Sequence, residues 1–293
     1  MLDRHSSVAA PGEFDFLFDA FGPDGGLLAA QGMPAARLED FLSDNRLYLA
    51  LSKRFASSGS SVERIRGYVD QYVEHDSYFT LCIHRNFFSA HEIFPAARFI
   101  HLLRDPRDCA KSAIGAGFAA NVYFGLNPWI ESEASWERLR ARLSPDQFIE
   151  VRYEQLVAQP VQELTRICAF IGVAFEPQML DLSATTYDTP SPRFANQWRR
   201  SMSPLDVYLV EARVGPLMAA RGYKPVGAMI ARPASSRLPA LWLHDFLFRH
   251  QQRVRTFGFN LWLQDVVSRH LGLRAWSRSV KLKMHPVINR SLK

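Results

Sequence analysis

Hydrophobic positions along this chain change their spacing several times, and the spacing predicts the secondary structure. Residues 61–76 place Val62, Ile65 and Val69 on one face at intervals of three and four, which is typical of an amphipathic helix. Short runs of β-branched and aromatic residues predict strands at 79–83, 98–103 and 147–151. Further helices are predicted at 34–56, 86–94, 107–117, 129–142, 160–171, 204–220 and 241–271.

Strands that alternate with helices indicate an α/β fold in which helices cover both faces of a parallel sheet. We therefore predict a three-layer α/β/α domain over residues 1–225. Residues 226–240 contain two prolines among small residues and are expected to form a linker. Residues 241–293 are rich in aromatic and basic side chains and are expected to form a helical extension.

The net charge of +6 is unevenly distributed along the chain. Residues 226–293 carry roughly +10, which leaves roughly −4 for the rest. With Trp242, Phe246 and Trp262, this basic tail suits contact with an anionic membrane surface or another polyanion. The alternative is that its aromatic residues pack on the preceding domain. Nucleic-acid binding is not expected, because the positive charge is confined to the tail and no recognised reading module is present.

Several other classes of protein are disfavoured by the sequence. No apolar run reaches the roughly 18 to 20 residues that span a bilayer, and the first residues lack a signal-peptide pattern. Cys82, Cys109 and Cys168 are dispersed, so neither a disulfide framework nor a zinc site is expected. The histidines lack metal-ligand spacing, and no metal is expected. We expect a cytoplasmic protein that is at most peripheral at the membrane.

Polar residues follow the strand predicted at 98–103. Arg104 leaves the strand, Asp105 follows it, and Ser112 lies on the first turns of the next helix. Ligands of open α/β sheets bind beyond the carboxyl ends of strands, and an arginine and a hydroxyl near a helix N-terminus both donate to phosphate. The same residues are compatible with a structural Arg104–Asp105 ion pair, with Ser112 on a solvated face.

This segment, IHLLRDPRDCAKS, resembles the 3′-phosphate-binding segment of sulfotransferases that use 3′-phosphoadenosine-5′-phosphosulfate (PAPS). The resemblance implies that Arg104 and Ser112, eight positions apart, hold the 3′-phosphate. A second block, VRYEQLV, resembles the family strand that ends in (K/R)YE-x-L and implies that Tyr153 lies near the nucleotide. The alternative for Tyr153 is a core aromatic residue whose hydroxyl finds a partner.

Two smaller segments also resemble this family. His84-Arg85-Asn86 is similar to its K-x-P-R-N stretch. Gln197-Trp198-Arg199-Arg200 is similar to the basic loop that closes over the nucleotide, which implies that Arg199 binds phosphate and that Trp198 stacks on adenine. Arginine-rich surface loops without a ligand have the same composition.

The N-terminal segments LDRHSSV and APGE resemble the family's LDxHPxV-x-xPGE sequence. The resemblance implies that Glu13 is the general base that removes the proton of the acceptor hydroxyl. Alternatively, Glu13 lies in the first turn of a helix that contains Phe14, Phe16 and Leu17. In the family a strand and a PRSGT-like loop precede this segment. The sequence as given lacks that loop, so either its start is misassigned or the chain is a degenerate paralogue.

The resemblance implies a nucleoside-triphosphate-hydrolase-like P-loop sulfotransferase fold with its first strand and loop missing. The implied activity is transfer of a sulfonate group from PAPS to a hydroxyl of a carbohydrate, glycolipid, peptide tyrosine or small metabolite. The alternative is a catalytically inactive nucleotide-binding or interaction protein derived from a sulfotransferase.

Overall fold

The computed structural model describes residues 1–21, 35–73, 78–183, 191–226 and 237–291. These residues contain four strands, all paired in parallel: β1 (Val8–Ala9) with β2 (Tyr78–Phe79), and β3 (Phe99–Leu103) with β4 (Phe148–Arg152). The predicted α/β class with parallel strands is confirmed. Within the described ranges, however, the strands form two separate pairs, whereas a single sheet was predicted.

Most helices lie where the hydrophobic pattern placed them. In chain order they are α1 (Phe16–Asp19), α2 (Ala35–Leu42), α3 (Arg46–Ala50), α4 (Ser61–Asp70), α5 (Phe87–Ile93), α6 (Pro106–Gly115), α7 (Val122–Gly125), α8 (Asn127–Arg140), α9 (Tyr153–Ala158), α10 (Pro160–Ile171), α11 (Trp198–Ser201), α12 (Pro204–Ala220), α13 (Leu238–Phe257), α14 (Phe259–His270) and α15 (Arg274–Ser291). Single turns of 3-10 helix occur at Leu2–Arg4, Pro177–Leu180 and Pro192–Phe194.

Two of the predicted helices are divided in the structure. The helix predicted at 34–56 is replaced by α2 and α3, and the side chain of Asn45 accepts the Tyr48 N–H to start the second of them. The helix predicted at 241–271 is divided into α13 and α14 at Gly258, whose φ of 78° is unfavourable for any side chain. Most of the predicted linker 226–240 lies outside the described residues.

The chain divides into two compact units, which do not follow the predicted boundary. The first contains residues 1–39, 51–108 and 128–201, and the second contains 40–50, 109–127 and 202–293. The helices of the predicted extension therefore cluster with α3, α7 and α12. In the second unit the Arg213 side chain of α12 donates to the Tyr123 carbonyl and to Asn127, and Lys281 of α15 forms an ion pair with Asp44.

One core cluster of the first unit covers β4. Val151 on the strand packs with Leu164, Ile167 and Cys168 of α10 and with Met179, and all five side chains are buried. Because α10 presents this apolar stripe to the strand and ends at Gly172 with a φ of 93°, the strand's carboxyl end is held in a fixed position.

Replacing Leu164 with alanine is expected to destabilise the protein by about 2–5 kcal/mol, because it leaves a cavity beneath β4. Chemical denaturation monitored by circular dichroism measures this loss. The matched control is Val161→Ala on the same helix, where the side chain is exposed and the change should stay within about 0.5 kcal/mol. Equal losses for the two variants would contradict the assignment of Leu164 to the core.

Candidate functional site

The carboxyl ends of β3 and β4 bring two of the predicted site residues together. The strands pair in a register that sets Leu103 opposite Arg152, so the next residues, Arg104 and Tyr153, lie side by side. The guanidinium carbon of Arg104 is 4.3 Å from the centroid of the Tyr153 ring. Both side chains are partly exposed. This contact combines a cation with an aromatic face at the end of a parallel pair, where α/β proteins bind ligands.

A buried ion pair fixes the backbone that carries Arg104. Asp105 accepts hydrogen bonds from the Arg107 side chain at 2.7 and 2.9 Å and from the Arg107 backbone N–H at 2.9 Å. The Asp105 N–H in turn donates to Glu154 at 2.9 Å, which ties the end of β3 to the start of α9. The alternative prediction was an ion pair between Arg104 and Asp105, but Asp105 pairs with Arg107. Arg104 instead contacts the Tyr153 ring and donates to the Phe194 carbonyl.

Three more arginines lie on the segment 191–201 of the same unit. Arg193, Arg199 and Arg200 are exposed, and Arg200 donates to the Arg193 carbonyl at 2.9 Å. The Trp198 N–H donates to Asp108 at 2.7 Å, which joins this segment to the start of α6. Burial raises the pKa of Asp108, although the Trp198 hydrogen bond and the charge of Arg104 oppose that rise. We call Arg104, Arg193, Arg199 and Arg200 the arginine cluster.

The arginine cluster has the charge that a phosphate group requires. Within the described ranges, no carboxylate lies within ion-pair distance of Arg199 or Arg200, so their charge is available to an anion. Trp198, however, is buried, and the guanidinium carbons of Arg107 and Arg199 lie 3.7 and 4.5 Å from its ring centroid. The predicted stacking of Trp198 on adenine is therefore not available in this structure, whereas the Tyr153 ring is partly exposed.

Glu13 lies in a second cluster of the first unit. Its segment runs parallel to residues 80–82, with the Phe14 N–H donating to the Cys82 carbonyl at 2.9 Å. Ala9 pairs with Phe79 and Glu13 pairs with Cys82, so the first segment has one more residue than the second between these two pairs. Gly12, with a φ of 118°, accommodates the extra residue. Helix α1 begins only at Phe16. The alternative that Glu13 occupies the first turn of that helix is therefore wrong.

Two aspartates next to Glu13 hold the basic residues of the HRN segment. The buried Asp15 accepts the His84 N–H at 2.7 Å and bonds the His84 Nδ1 at 2.8 Å. Asp19 accepts two hydrogen bonds from Arg85, at 2.5 and 2.7 Å, and one from Asn86 at 2.9 Å. This cluster was not predicted from the sequence, although Asp15 and Asp19, four residues apart on one helical face, were a signal for it.

These contacts keep His84 positively charged at neutral pH. The hydrogen bond to Asp15, followed by the one to Cys82, raises the pKa of His84 to about 10 against a smaller opposing effect of burial. For Asp15, burial raises the pKa, but the hydrogen bonds and charges of His84 and Arg85 outweigh it and leave the pKa below its ordinary value. His84 is thus a cation and a donor to Asp15, and it is not a base near pH 7.

Comparison with known proteins decides which family this geometry belongs to. The sequence model of the Sulfotransferase family matches residues 1–177. The chain belongs to the Sulfotransferase family. Carbohydrate sulfotransferase 3 of Mus musculus is 30% identical over 47% of this chain and 35% of that protein. The omega-hydroxy-beta-dihydromenaquinone-9 sulfotransferase of Mycobacterium bovis is 28% identical over 28% of this chain and 24% of its own length. The chain therefore matches about a third or less of these two relatives.

Solved structures of sulfotransferase domains share the fold. The sulfotransferase domain of the Synechococcus olefin synthase superposes with a TM-score of 0.52, covering 76% of this chain and 88% of that domain at 19% identity. The sulfotransferase domain from the curacin biosynthetic pathway gives a TM-score of 0.51 at 18% identity. The predicted sulfotransferase fold is thus confirmed.

The five site residues predicted from the sulfotransferase resemblance do not all lie together in the structure. Arg104 and Tyr153 are in contact, and Arg199 lies in the same unit beside Trp198. Glu13 is in the same unit within its own cluster. Ser112 is exposed on α6, but the two units divide within that helix and Ser112 belongs to the second. The functional roles of all five residues remain predictions.

The stabilising effect of the Asp15–His84 pair is expected to depend on pH. The folded pKa of His84, about 10, lies above its unfolded value of about 6.5. The contribution is therefore complete below about pH 6.5, declines as the pH rises, and is lost above about pH 10. We expect the difference in thermal midpoint between the native chain and His84→Asn to shrink across this range. A difference that stays constant would contradict a charged His84.

Proposed function

We propose that this sulfotransferase transfers a sulfonate group from PAPS to a hydroxyl acceptor. The observation that carries the proposal is the contact of Arg104 with Tyr153 at the carboxyl ends of β3 and β4, within the arginine cluster. PAPS is a trianionic or more highly charged nucleotide with an aromatic base, so its recognition needs several cations and an apolar or aromatic surface. The described residues of this site supply both.

The 3′-phosphate is the group that best suits Arg104. Its guanidinium can donate two parallel hydrogen bonds to phosphate oxygens while its face remains against Tyr153. Arg199 and Arg200 add charge from the segment 191–201. Since the buried Asp105–Arg107 pair fixes the backbone on which Arg104 stands, little ordering is required on binding.

Glu13 is proposed as the general base. As the acceptor oxygen attacks sulfur in line, the Glu13 carboxylate takes the hydroxyl proton, a new S–O bond forms, and the S–O bond to the donor's phosphate breaks. The leaving product is adenosine 3′,5′-bisphosphate. His84 is protonated near pH 7, so it is unsuited to take this proton.

The acceptor class is left to a direct test. The related proteins are named for carbohydrate and for menaquinone substrates, and both classes present a hydroxyl group.

The purified chain is incubated with PAPS labelled in the sulfonate group and with panels of sugars, hydroxylated lipids and tyrosine peptides, and the labelled products are separated. Isothermal titration with adenosine 3′,5′-bisphosphate runs in parallel. Transfer to any acceptor supports the proposal, and nucleotide binding without transfer supports the inactive alternative. Absence of both would overturn the proposal.

A further inference from the structure

The C-terminal helices α13 and α14 display a continuous row of aromatic rings. Trp242, Phe246 and His250 follow one another at four-residue spacing, with ring centroids 5.1 and 4.3 Å apart. Trp262 lies 5.6 Å from His250, donates its Nε1 hydrogen to His250 Nδ1 at 3.0 Å, and is 5.5 Å from Phe259. We call these five rings the aromatic row. Trp242, Phe246 and Phe259 are 55%, 44% and 59% exposed.

The row lies on a different side of α13 from the helix's contacts with residues 120 and 121. On the contact side, the buried Asp245 accepts the Ala120 N–H at 2.8 Å and the Leu241 carbonyl accepts from Asn121 at 3.0 Å. At about 100° per residue, Trp242, Phe246 and His250 are centred about 120° around the helix from these two positions. Leu243 and Leu247, also about half exposed, widen the apolar face. An exposed face of this kind marks an interaction surface rather than a solvated helix.

The surface of these helices carries charge of one sign. The acidic residues of 237–291 are Asp245 and Asp265, and both are buried. Asp245 is paired with Arg249, and Asp265 with Arg253 and Arg269. The exposed charges that remain are basic and include Arg255, Arg274, Arg278 and Lys283. A partner that covers the aromatic row must therefore be both apolar and negatively charged.

We propose that α13–α15 dock on a membrane surface that contains anionic lipids, with the aromatic row at the boundary between headgroups and acyl chains. Tryptophan and phenylalanine with flanking basic residues suit that boundary, because the rings enter the apolar layer while the cations meet lipid phosphates. Within the described ranges, no helix has the length and apolarity to cross a bilayer. A second copy of the same face is disfavoured, since it would bring like charges together.

Vesicle sedimentation tests the proposal, which does not depend on the transfer activity. The full chain is mixed with vesicles of phosphatidylcholine alone or with phosphatidylglycerol added. We expect binding to the anionic vesicles only. A Trp242→Ser/Phe246→Ser variant should bind at least about tenfold more weakly, because two exposed rings no longer leave water on binding. Arg274→Gln/Arg278→Gln should also bind more weakly, and the salt dependence of binding should decrease.

The matched control is Phe118→Ser, which removes a 70% exposed ring that lies outside the row. It should bind anionic vesicles within about twofold of the native chain. Circular dichroism confirms that each variant remains folded, as expected for substitutions of exposed side chains. The proposal is overturned if the native chain does not bind anionic vesicles or if the Trp242/Phe246 variant binds as well as the native chain. A dimer that this variant abolishes would assign the row to a second copy and would also overturn it.

Discussion

Replacing Arg104 with alanine is expected to weaken the binding of adenosine 3′,5′-bisphosphate by about 100-fold. Charge-assisted hydrogen bonds to phosphate contribute more to the binding free energy than neutral ones. Arg104 also stands on a backbone segment that is held in a fixed position. Its segment is fixed by the Asp105–Arg107 pair and by the Asp105 N–H bond to Glu154. Isothermal titration calorimetry measures the change directly.

Two variants show whether the loss is specific to Arg104. Arg142→Ala removes another guanidinium over an aromatic ring, 4.6 Å from the Phe88 centroid, and nucleotide affinity should not change. Tyr153→Phe keeps the ring beside Arg104 but removes the hydroxyl, so the affinity should fall much less than in Arg104→Ala. If Arg104→Ala binds the nucleotide as tightly as the native chain, the proposed 3′-phosphate site is wrong.

Local sequence patterns predict the elements of this fold better than they predict pairing. The helices at 160–171 and 204–220 were predicted at their observed bounds, because their apolar spacing, Pro160, Gly172 and Pro204 all act within a few residues. The register of β3 and β4 joins residues 49 positions apart, and no local pattern specifies it. Yet this register is what places Arg104 against Tyr153.

In the candidate site, too, short motifs indicate single residues but do not indicate their distant partners. Arg104, Tyr153 and Glu13 were selected from short motifs. Arg104 and Tyr153 directly follow paired strands, and Glu13 lies four residues beyond β1, in a single bridge to Cys82. The hydrogen bonds that fix the charge and the backbone of the site join distant segments, such as Asp15 to His84 and the Asp105 N–H to Glu154. A cation–carboxylate pair 69 residues apart leaves no periodic trace in the sequence. The charge state of His84 could therefore be recognised only in the structure.

Replacing Glu13 with glutamine is expected to lower the rate constant of sulfonate transfer by about 10²- to 10⁴-fold, with nucleotide affinity unchanged. Glutamine keeps the size and hydrogen-bonding capacity of the side chain but cannot accept the acceptor's proton. The backbone position should persist, because Phe14 and Cys82 hold it through main-chain hydrogen bonds. Single-turnover transfer of labelled sulfonate, with an acceptor found in the panel, gives the rate constant.

The matched control for this change is Glu131→Gln, an exposed glutamate on α8, which should leave the rate constant unaltered. The pH profile separates Glu13 from His84 as the base. If Glu13 takes the proton, the rate should fall when His84 loses its charge near pH 10. A rate that instead rises toward pH 10, together with full activity of Glu13→Gln, would assign the base to His84 and contradict the role proposed for Glu13.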